Sequence, residues 1–538
     1  MKKLLLFVLA LIMTVSALTA CKSNNDDISP VPKQYLPQIP EGGIEMLDSN
    51  IVKSTITSTD DGNGNYSNPV IFADVPDIDF IRVDDAYYMV STTMHLSPGC
   101  PIMKSYDLVN WEIVNYVFNT LDDADNLALR NGEHSYGKGQ WAASIRHHNG
   151  IFYVGFLSYS TGKSYIYYTK DIENGRWERF VFDEGFHDMS LLFDEDGRVY
   201  IIYGGGDIWC VELEKDLSAV KPETKRKIIS DAGLTPGCLA EGAHAYKING
   251  YYYIFIITWP SGGRRTQLCY RSKSLDGDWE MKVILDDNLG FRNDGVAQGG
   301  IIDSADGNWY CLLFQDHGAV GRLPVLMPMT WEDDWPVVGI DGKAPKTAEI
   351  PVKGMERKGI ATRDEFINSQ IVRSYHSFAD SLEAAGENDY NGSNLLPEWQ
   401  WNHNPDNRLW SLTEREGYLR LKTGTVCRSV TQARNTLTQR TFGPECSAYI
   451  RLDVAKMKDG DVAGLSAFAE RYGYVGVKME DGKKYIVMAR YDDNDSVEKE
   501  FEKERTELAG NEVFLRVDCD YNNAADKAYF YYSLDVES

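Results

Sequence analysis

The chain has 538 residues, a length that fits two or three domains better than one. Apolar residues make up 43% of the sequence and charged residues 25%, which is typical of a globular protein and not of a disordered or fibrous chain. The 55 Lys and Arg residues face 80 Asp and Glu residues, so the formal net charge is −25. This balance argues against nucleic acid as a partner, because phosphates require a basic surface.

The N-terminus has the pattern of an export signal. Two lysines precede the apolar run Leu4–Ala17, which is too short to span a bilayer easily. The run leads into Leu18-Thr19-Ala20-Cys21, which resembles a bacterial lipobox with Cys21 as the lipidated residue; an ordinary secretory signal is the alternative. We expect residues 1–20 to be a lipoprotein signal peptide and residues 21–64 a polar tether. This predicts a protein anchored by lipid to the bacterial outer membrane, facing the periplasm or the cell surface.

One pattern then recurs five times: an alternating strand, a tight turn and an aromatic-rich strand. Its copies are Phe80–Thr92, Ser144–Phe156, Leu191–Gly204, Ala245–Thr258 and Ile301–Phe314. Four of the five turns are Asn-Gly or Asp-Gly pairs, which two-residue hairpins favour. Similar β-units at a spacing of roughly 50 residues predict a five-bladed β-propeller over residues 65–345, with an open β-sandwich as the alternative.

The rest of the chain has a different character. Residues 346–373 are rich in Pro, Gly and charge and are predicted to be a linker. Alternating strands such as Tyr474–Val477 return after it and predict a β-sandwich over residues 374–538. The predicted fold class is therefore all-β, a propeller followed by a sandwich. None of the eight cysteines after Cys21 forms a Cys-x-x-Cys pair, which argues against zinc and leaves disulfide pairing open.

The hairpins also align five residues that carry chemistry. Each stands eight or nine positions before the second turn residue of its repeat: Asp77, Trp141, Asp188, Glu241 and Gln298. Because the innermost strands of a propeller surround its axis, equivalent positions on them converge. The spacing therefore predicts three carboxylates, an indole and an amide in one central pocket. Solvated or turn-capping acids are the alternative.

Two carboxyl groups in one pocket suit the hydrolysis of glycosidic bonds. A separation of about 6.5–9.5 Å leaves room for a water molecule and gives inversion at the anomeric carbon. A third acid nearby raises the pKa of the general acid by like-charge repulsion. The longer side chain of Glu241 is suited to reach a leaving oxygen, and Pro76 gives Asp77 a rigid position as a base.

The motifs around these residues resemble glycoside hydrolase family 43 over roughly Asn68 to Gly339. The matching segments are Pro76-Asp77-x-Asp79, Trp141-Ala142, His187-Asp188-x-Ser190, Glu241-Gly242-x-His244, Gln298-Gly299-Gly300 and Gly321–Leu326. Farther on, Trp399–Pro405 is similar to the concanavalin-A-like β-sandwich appended to β-xylosidases and α-L-arabinofuranosidases of that family. Such sandwiches continue beyond a segment like Tyr532–Asp535, so we expect this one to be incomplete.

The resemblance implies a role for each aligned residue. Asp77 would be the general base, Asp188 the residue that modulates pKa and orients, and Glu241 the general acid. Sugar contacts are expected from Arg322, from Trp141 as a stacking wall, from His95 on the loop after the first hairpin, and from Gln298. Core packing is the alternative for Trp141, a surface ion pair for Arg322, and a satisfied polar histidine for His95. His317 resembles a histidine that helps to hold a central calcium in some members, with a structural role as the alternative; no cofactor is expected to be required.

These observations predict an exo-acting inverting glycosidase that hydrolyses terminal pentoses of plant cell-wall polysaccharides such as arabinoxylan or arabinan. α-L-Arabinofuranose is favoured over β-xylose by overall similarity. The rivals are a non-catalytic surface glycan-binding lipoprotein, a structural envelope protein that uses the propeller as an interaction platform, and a retaining glycosidase. The oligomeric state is not predicted.

Overall fold

The computed structural model of the protein describes residues 55–368, 387, 390–492 and 499–535. The predicted signal peptide, Cys21 and most of the predicted tether lie outside these residues, as does the predicted start of the sandwich at Ser374. The chain divides into two compact units, one of Ile56–Gly424 with Gln432–Arg440, the other containing Thr425–Thr431 and the chain from Thr441 on. Among the described residues, no helix has the length and apolar character needed to cross a membrane.

The first unit contains five antiparallel sheets of four strands each, and the strands are numbered β1–β34 along the whole chain. Blade 1 is formed by β2 (Asp79–Val83), β3 (Ala86–Val90), β5 (Gly99–Ser105) and β6 (Glu112–Phe118). Blade 2 is formed by β7 (Gln140–His148), β8 (Ile151–Ser158), β9 (Lys163–Thr169) and β10 (Glu178–Phe182). Blade 3 is formed by β11 (Ser190–Phe193), β12 (Val199–Tyr203), β13 (Ile208–Glu212) and β14 (Arg226–Ile229). Blade 4 is formed by β15 (Leu239–Ile248), β16 (Tyr251–Trp259), β17 (Thr266–Ser272) and β18 (Glu280–Leu285), and blade 5 by β19 (Ala297–Asp303), β20 (Trp309–Asp316), β21 (Arg322–Glu332) and β22 (Trp335–Val338).

The predicted hairpins are the first two strands of each blade. Asn149 and Gly150 both have positive φ, 51° and 76°, and so do Asn249 and Gly250, 51° and 78°. Positive φ at both central residues defines the type I′ turn, whose twist matches that of the flanking strands. The Asn-Gly pairs therefore fix the register of blades 2 and 4.

The blades form a closed ring. The innermost strands β2, β7, β11, β15 and β19 each contact the next, and β19 contacts β2. The N-terminal segment completes the closure, since β1 (Asn65–Ser67) pairs with β23 (Thr347–Glu349) and the hydroxyl of Tyr66 donates to the carbonyl of Leu326 in blade 5. Aromatic and β-branched side chains fill the spaces between neighbouring blades, as the repeat predicts.

A buried ion pair lies where the innermost strands meet. Arg146 of β7 donates to Asp79 of β2 at 2.6 Å and to Ser190 of β11 at 2.9 Å. His244 of β15 lies 3.2 Å from the same aspartate. Burial favours the neutral acid, but Arg146 and His244 outweigh it and lower the pKa of Asp79 below its usual value. One polar cluster thus connects four blades beneath the pocket described below.

Short strands extend this unit beyond the propeller. They are β4 (Leu96–Ser97), β24 (Gln400–Asn402), β25 (Trp410–Ser411), β26 (Arg420–Leu421) and β27 (Leu437–Thr438). β24 pairs with β4, a strand in the loop between blade 1's second and third strands. Sequence positions separated by about 300 residues are therefore joined within one unit. Three short 3-10 helices, Gly318–Val320, Val430–Gln432 and Asn522–Ala524, are the helical segments of the described chain.

The second unit is a β-sandwich. One sheet has the order β28 (Glu445–Asp453), β33 (Glu512–Asp520), β34 (Lys527–Ser533), and the other runs β29 (Val462–Ala467), β30 (Gly473–Glu480), β31 (Lys483–Asp492), β32 (Lys499–Glu507). Val475 and Val477 of one sheet pack with Val513 and Leu515 of the other in one apolar core. The predicted fold class, a five-bladed propeller followed by a sandwich, is confirmed.

Candidate active site

The five aligned residues lie at the beginnings of the five innermost strands, as predicted. Asp77 and Asp188 stand two residues before β2 and β11, and the other three lie in the first three positions of β7, β15 and β19. The backbone is irregular at these points: φ is +52° at Asp77, +47° at Asp188 and +66° at Gln298. Left-handed φ in residues with a Cβ costs on the order of 1–3 kcal/mol each and is characteristic of functional sites. These three residues thus depart from regular strand geometry at the points where the innermost strands begin.

Asp77 is a buried carboxylate with two side-chain donors. It is 5% exposed; the Thr92 hydroxyl donates to its Oδ2 at 2.7 Å, and the Arg322 guanidinium donates to its Oδ1. The backbone N–H of Arg322 is itself fixed by Asp74, at 2.7 Å. Burial works against the guanidinium, yet Asp77 and Asp316 outweigh it and raise the pKa of Arg322. The predicted sugar-binding arginine is therefore also the counter-ion of the predicted base.

Asp188 is a different kind of carboxyl group. It is 6% exposed and accepts the backbone N–H of Gly242 at 2.9 Å. Burial raises its pKa, with Glu241 and Asp77 adding to the rise, to about 7, although His187 opposes the change. Asp188 therefore exchanges its proton near neutral pH.

Gly242 keeps the pocket floor narrow. Its φ is +69°, and a Cβ built there would lie 2.8 Å from the Gln298 side chain. Glycine is required at this position both for its conformation and for the close approach of Gln298. The N–H of the same glycine donates a hydrogen bond to Asp188. The Glu241-Gly242 motif therefore connects blades 3, 4 and 5.

Glu241 contacts a histidine that the prediction did not assign. His187 Nε2 lies 3.0 Å from Glu241 Oε2, and His187 Nδ1 lies 2.8 Å from the Tyr159 hydroxyl and 3.5 Å from Asp188 Oδ1. Burial lowers the pKa of His187, but Asp188 and Glu241 outweigh it, so the pKa rises to about 9. An imidazolium therefore stands between the two carboxyl groups.

Trp141 adjoins this cluster. Its ring meets Tyr159 edge to face, with centroids 4.6 Å apart, and its indole Nε1 has no hydrogen-bond partner among the described residues. A buried N–H donor without a partner is costly, so it is suited to a hydroxyl that arrives with a ligand. This geometry fits the predicted wall of the sugar pocket.

His95 has a similar free donor. It is 8% exposed, and its ring lies 4.3 Å from the Tyr136 ring and 4.7 Å from that of His403. Gly137 N–H donates to Nδ1 at 3.3 Å, so the proton of the neutral ring is on Nε2, which has no partner among the described residues. Burial lowers the pKa of His95 to about 3, and His134 adds to this effect. The ring therefore stays neutral and offers one N–H donor.

His317, the candidate calcium ligand, does not fit that role. Its Nε2 is 2.9 Å from Gln315 Oε1, and its ring stacks on Phe291 with centroids 3.9 Å apart. Neighbouring Asp316 pairs with Arg265 and Arg322, whereas calcium takes roughly six to eight oxygen ligands. We assign no calcium to these residues.

A second group of potential metal ligands lies beside Glu241. Ligand atoms of His187, Asp188 and Glu241 lie within 4.8 Å of one another. The hydrogen bonds of Glu241 with His187 and of Asp188 with Gly242 account for this proximity. We assign no metal to this cluster either.

The sequence analysis missed His187, Tyr159 and Thr92. His187 directly precedes Asp188, so its place beside the pocket could have been inferred from the alignment of repeats. Tyr159 follows the last residue of β8 and Thr92 follows β3 by two positions. Both leave the second strand of a blade at the pocket end of the sheet, a position that carries no sequence motif.

A propeller with three carboxylates and an arginine at its axis, and with the indole N–H of Trp141 beside them, is the arrangement of a hydrolase that acts on a polyhydroxylated substrate. The model of glycosyl hydrolases family 43 matches residues 66–336, and that of the β-xylosidase C-terminal concanavalin A-like domain matches residues 387–538. The protein belongs to glycosyl hydrolase family 43.

Individual relatives agree with the family models. A β-xylosidase of Formosa agariphila is 30% identical over an alignment of 588 positions, gaps included, which covers 97% of this chain and 89% of that protein. A non-reducing end α-L-arabinofuranosidase of Bacteroides ovatus is 27% identical over 75% of this chain and 74% of its own.

Solved structures extend the comparison to the fold. A bifunctional GH43-CE protein of Bacteroides eggerthii is 46% identical with a TM-score of 0.79; the match covers 87% of this chain but only 57% of that one. A GH43 glycoside hydrolase engineered to display both endo-xylanase and exo-arabinofuranosidase activity is 30% identical, with a TM-score of 0.74 over 88% of this chain and 90% of its own.

Proposed function

We propose that the protein is an exo-acting inverting glycosidase that releases terminal α-L-arabinofuranosyl or β-xylosyl units from plant cell-wall polysaccharides such as arabinoxylan or arabinan. The observation that carries the proposal is the convergence of Asp77, Asp188 and Glu241 at the axis, each in a different environment. The two sugars are those named for the relatives from Formosa agariphila and Bacteroides ovatus. No cofactor is required for this chemistry.

The proposed reaction is a single displacement. Asp77, held by Arg322 and Thr92, accepts a proton from a water molecule as the water oxygen attacks the anomeric carbon. Glu241 gives a proton to the departing glycosidic oxygen. The bond to the leaving group breaks as the bond to water forms, and the sugar is released with inverted configuration.

The environment of Asp188 supports inversion over retention. A retaining enzyme needs a carboxylate nucleophile about 5–5.5 Å from the acid, and Asp188 is the carboxyl group nearest to Glu241 in the cluster. Its raised pKa leaves it partly protonated at neutral pH, and the Gly242 amide occupies one of its oxygens. Asp188 is therefore a poor nucleophile. It is suited to orient Glu241 and to limit the negative charge in the pocket.

The free N–H groups of Trp141 and His95 and the guanidinium of Arg322 are proposed to bind sugar hydroxyls, with Gln298 closing the floor of the pocket. A non-catalytic glycan-binding protein would need these donors but not a buried base with its own counter-ion. Lipid attachment at Cys21 and placement on the outer membrane remain part of the proposal, supported by the lipobox-like sequence.

The test is release of 4-nitrophenol from the α-L-arabinofuranoside and the β-xyloside by the wild type, Asp77→Asn and Glu241→Gln. We expect turnover of at least one substrate, a large loss in Asp77→Asn, and a loss in Glu241→Gln that deepens with poorer leaving groups. A folded wild type that binds xylan or arabinan oligosaccharides but hydrolyses none of them would favour the glycan-binding alternative. Full activity in both variants would contradict the placement of the site.

A further inference from the structure

A hydrogen-bonded chain crosses two blade boundaries at the edge of the pocket. It runs from the Tyr159 hydroxyl of blade 2 to His187 Nδ1, before blade 3, and from His187 Nε2 to Glu241 Oε2 in blade 4, with contacts of 2.8 and 3.0 Å. Each ring nitrogen of His187 thus has one partner. The imidazole has a fixed position on one oxygen of the predicted general acid.

The groups that face His187 favour its protonated form. Asp188 is 3.5 Å from Nδ1, Glu241 is in contact with Nε2, and the charge of Asp77 in blade 1 acts on the ring as well. Tyr159 is the titratable group on the side of blade 2. Because burial raises the pKa of Tyr159 to about 12, it remains a neutral phenol that can accept a hydrogen bond from an imidazolium.

This arrangement raises a question about the acid step. The imidazolium needs to keep its proton on Nε2 while the pocket is open, whereas the reaction needs a proton on Glu241 when the leaving group departs. The two needs agree if the pair carries one proton that changes place. In an open pocket, water stabilises the ion pair; when a sugar displaces that water, the neutral pair costs less.

We propose that His187 is a positioning residue that stores the proton Glu241 delivers, and this rests on the role proposed above for Glu241. When the sugar fills the pocket, the Nε2–H bond breaks and an Oε2–H bond forms, which leaves a neutral imidazole and a carboxylic acid. The acid then passes the proton to the departing oxygen and becomes a carboxylate. The proton that Asp77 takes from water returns to solvent, and a solvent proton recharges His187.

A solvent proton can reach His187 along the glycine loop that lies beside its ring. A Cβ at Gly205 would lie 3.3 Å from His187 Cδ2, so the glycine loop lies directly against the ring. Gly205 also lines a cleft open to solvent, together with Gly206, Asp207 and Leu239. The ring thus lies beside a cleft that is open to solvent.

The experiment compares the wild type with His187→Gln, whose amide can still donate to Glu241 but cannot titrate. His148→Gln, at a half-buried histidine stacked on Phe193, is the matched control. The readouts are the pH profile of kcat/KM and the ratio of rates on 2,4-dinitrophenyl and phenyl glycosides of the sugar that the wild type hydrolyses. We expect the alkaline limb to move to lower pH by about one unit or more in His187→Gln. We also expect a loss of roughly a hundredfold on the phenyl glycoside, which needs a protonated leaving group, and of less than about threefold on the dinitrophenyl glycoside.

Equal losses on both glycosides with an unmoved alkaline limb would overturn the proposal and leave His187 a structural residue. Tyr159→Phe provides an independent test if His187→Gln does not fold, because loss of the hydroxyl removes one acceptor from the imidazolium and should move the alkaline limb in the same direction. An unmoved limb in Tyr159→Phe would likewise count against proton storage. Failure of the proposed function is distinguishable, since Glu241→Gln would then show no dependence on the leaving group.

Discussion

Removal of the Arg322 guanidinium is predicted to weaken Asp77 as a base while the side chain at position 322 still fills its place in the pocket. Arg322→Met keeps an apolar stem near Phe314, whose ring centroid lies 4.8 Å from the guanidinium carbon, but removes the donor to Asp77. Thr92 then remains as the side-chain donor to a carboxylate that is 5% exposed. The substitution therefore changes the hydrogen bonding and electrostatic environment of Asp77 more than it changes the shape of the pocket.

The magnitude follows from the bond that is lost. A hydrogen bond to a charged group contributes about 1.5–3 kcal/mol, and the side chain of Arg322 is 31% exposed, which places the effect near the middle of this range. About 2 kcal/mol corresponds to roughly a thirtyfold loss in kcat/KM.

The assay is kcat/KM between pH 4 and pH 9 on the 4-nitrophenyl glycoside that the wild type hydrolyses. Arg82→Met is the matched control, because Arg82 has a similar exposure, 26%, and pairs with Asp303 across blades 1 and 5 away from the pocket. We expect the control to retain the wild-type kcat/KM. A loss of kcat/KM in Arg322→Met that is no larger than that of the control would refute the assignment of Arg322 as counter-ion of the base.

Three further changes follow from the same structure. Asp188→Asn should remove an inflection near pH 7 from the kcat/KM profile, because burial and nearby carboxylates raise the pKa of Asp188 to about 7; an inflection that persists would contradict this. Trp141→Ala should raise KM for oligosaccharides by roughly 2–13-fold, because an aromatic contact contributes about 0.5–1.5 kcal/mol. Trp141→Phe should recover part of the lost affinity, and calorimetry measures the binding of both variants. Arg146→Met should lower the free energy of unfolding by about 3–5 kcal/mol in urea, because the buried Asp79 would lose its guanidinium partner and keep His244 and backbone N–H groups. Asp79→Asn in the same chain should recover part of the loss, and an unchanged midpoint would contradict the role of the axial ion pair.

The architecture was predictable because the determinants of the blades are local. Asn149-Gly150 and Asn249-Gly250 specify their turns through positive φ, and alternation in the flanking strands specifies which face is buried. Counting back from the five hairpin turns of the repeat placed Asp77, Asp188 and Glu241 where the innermost strands of their blades begin, and the structure has them there. The positions agree even though bulges and left-handed residues interrupt the strands there, since each blade carries its irregularity at the same point.

The remaining features depend on contacts between distant segments. No local pattern predicts that Trp401 pairs with Ser97, or that the ring of His403 lies against that of His95. The pairing of Arg322 with Asp77 joins the last blade to the first and follows from ring closure alone. His317 looked like a metal ligand by resemblance, but its neighbours in space are an amide and a phenyl ring.

The central claim is a single displacement with Asp77 as base, and the stereochemistry of the first product tests it most directly. Proton NMR of β-xyloside hydrolysis, recorded before mutarotation, distinguishes the two anomers of the released xylose. The account predicts that the α-anomer accumulates first, as inversion requires. Initial release of the β-anomer would show retention through a covalent intermediate and would contradict the roles given to Asp77 and Asp188.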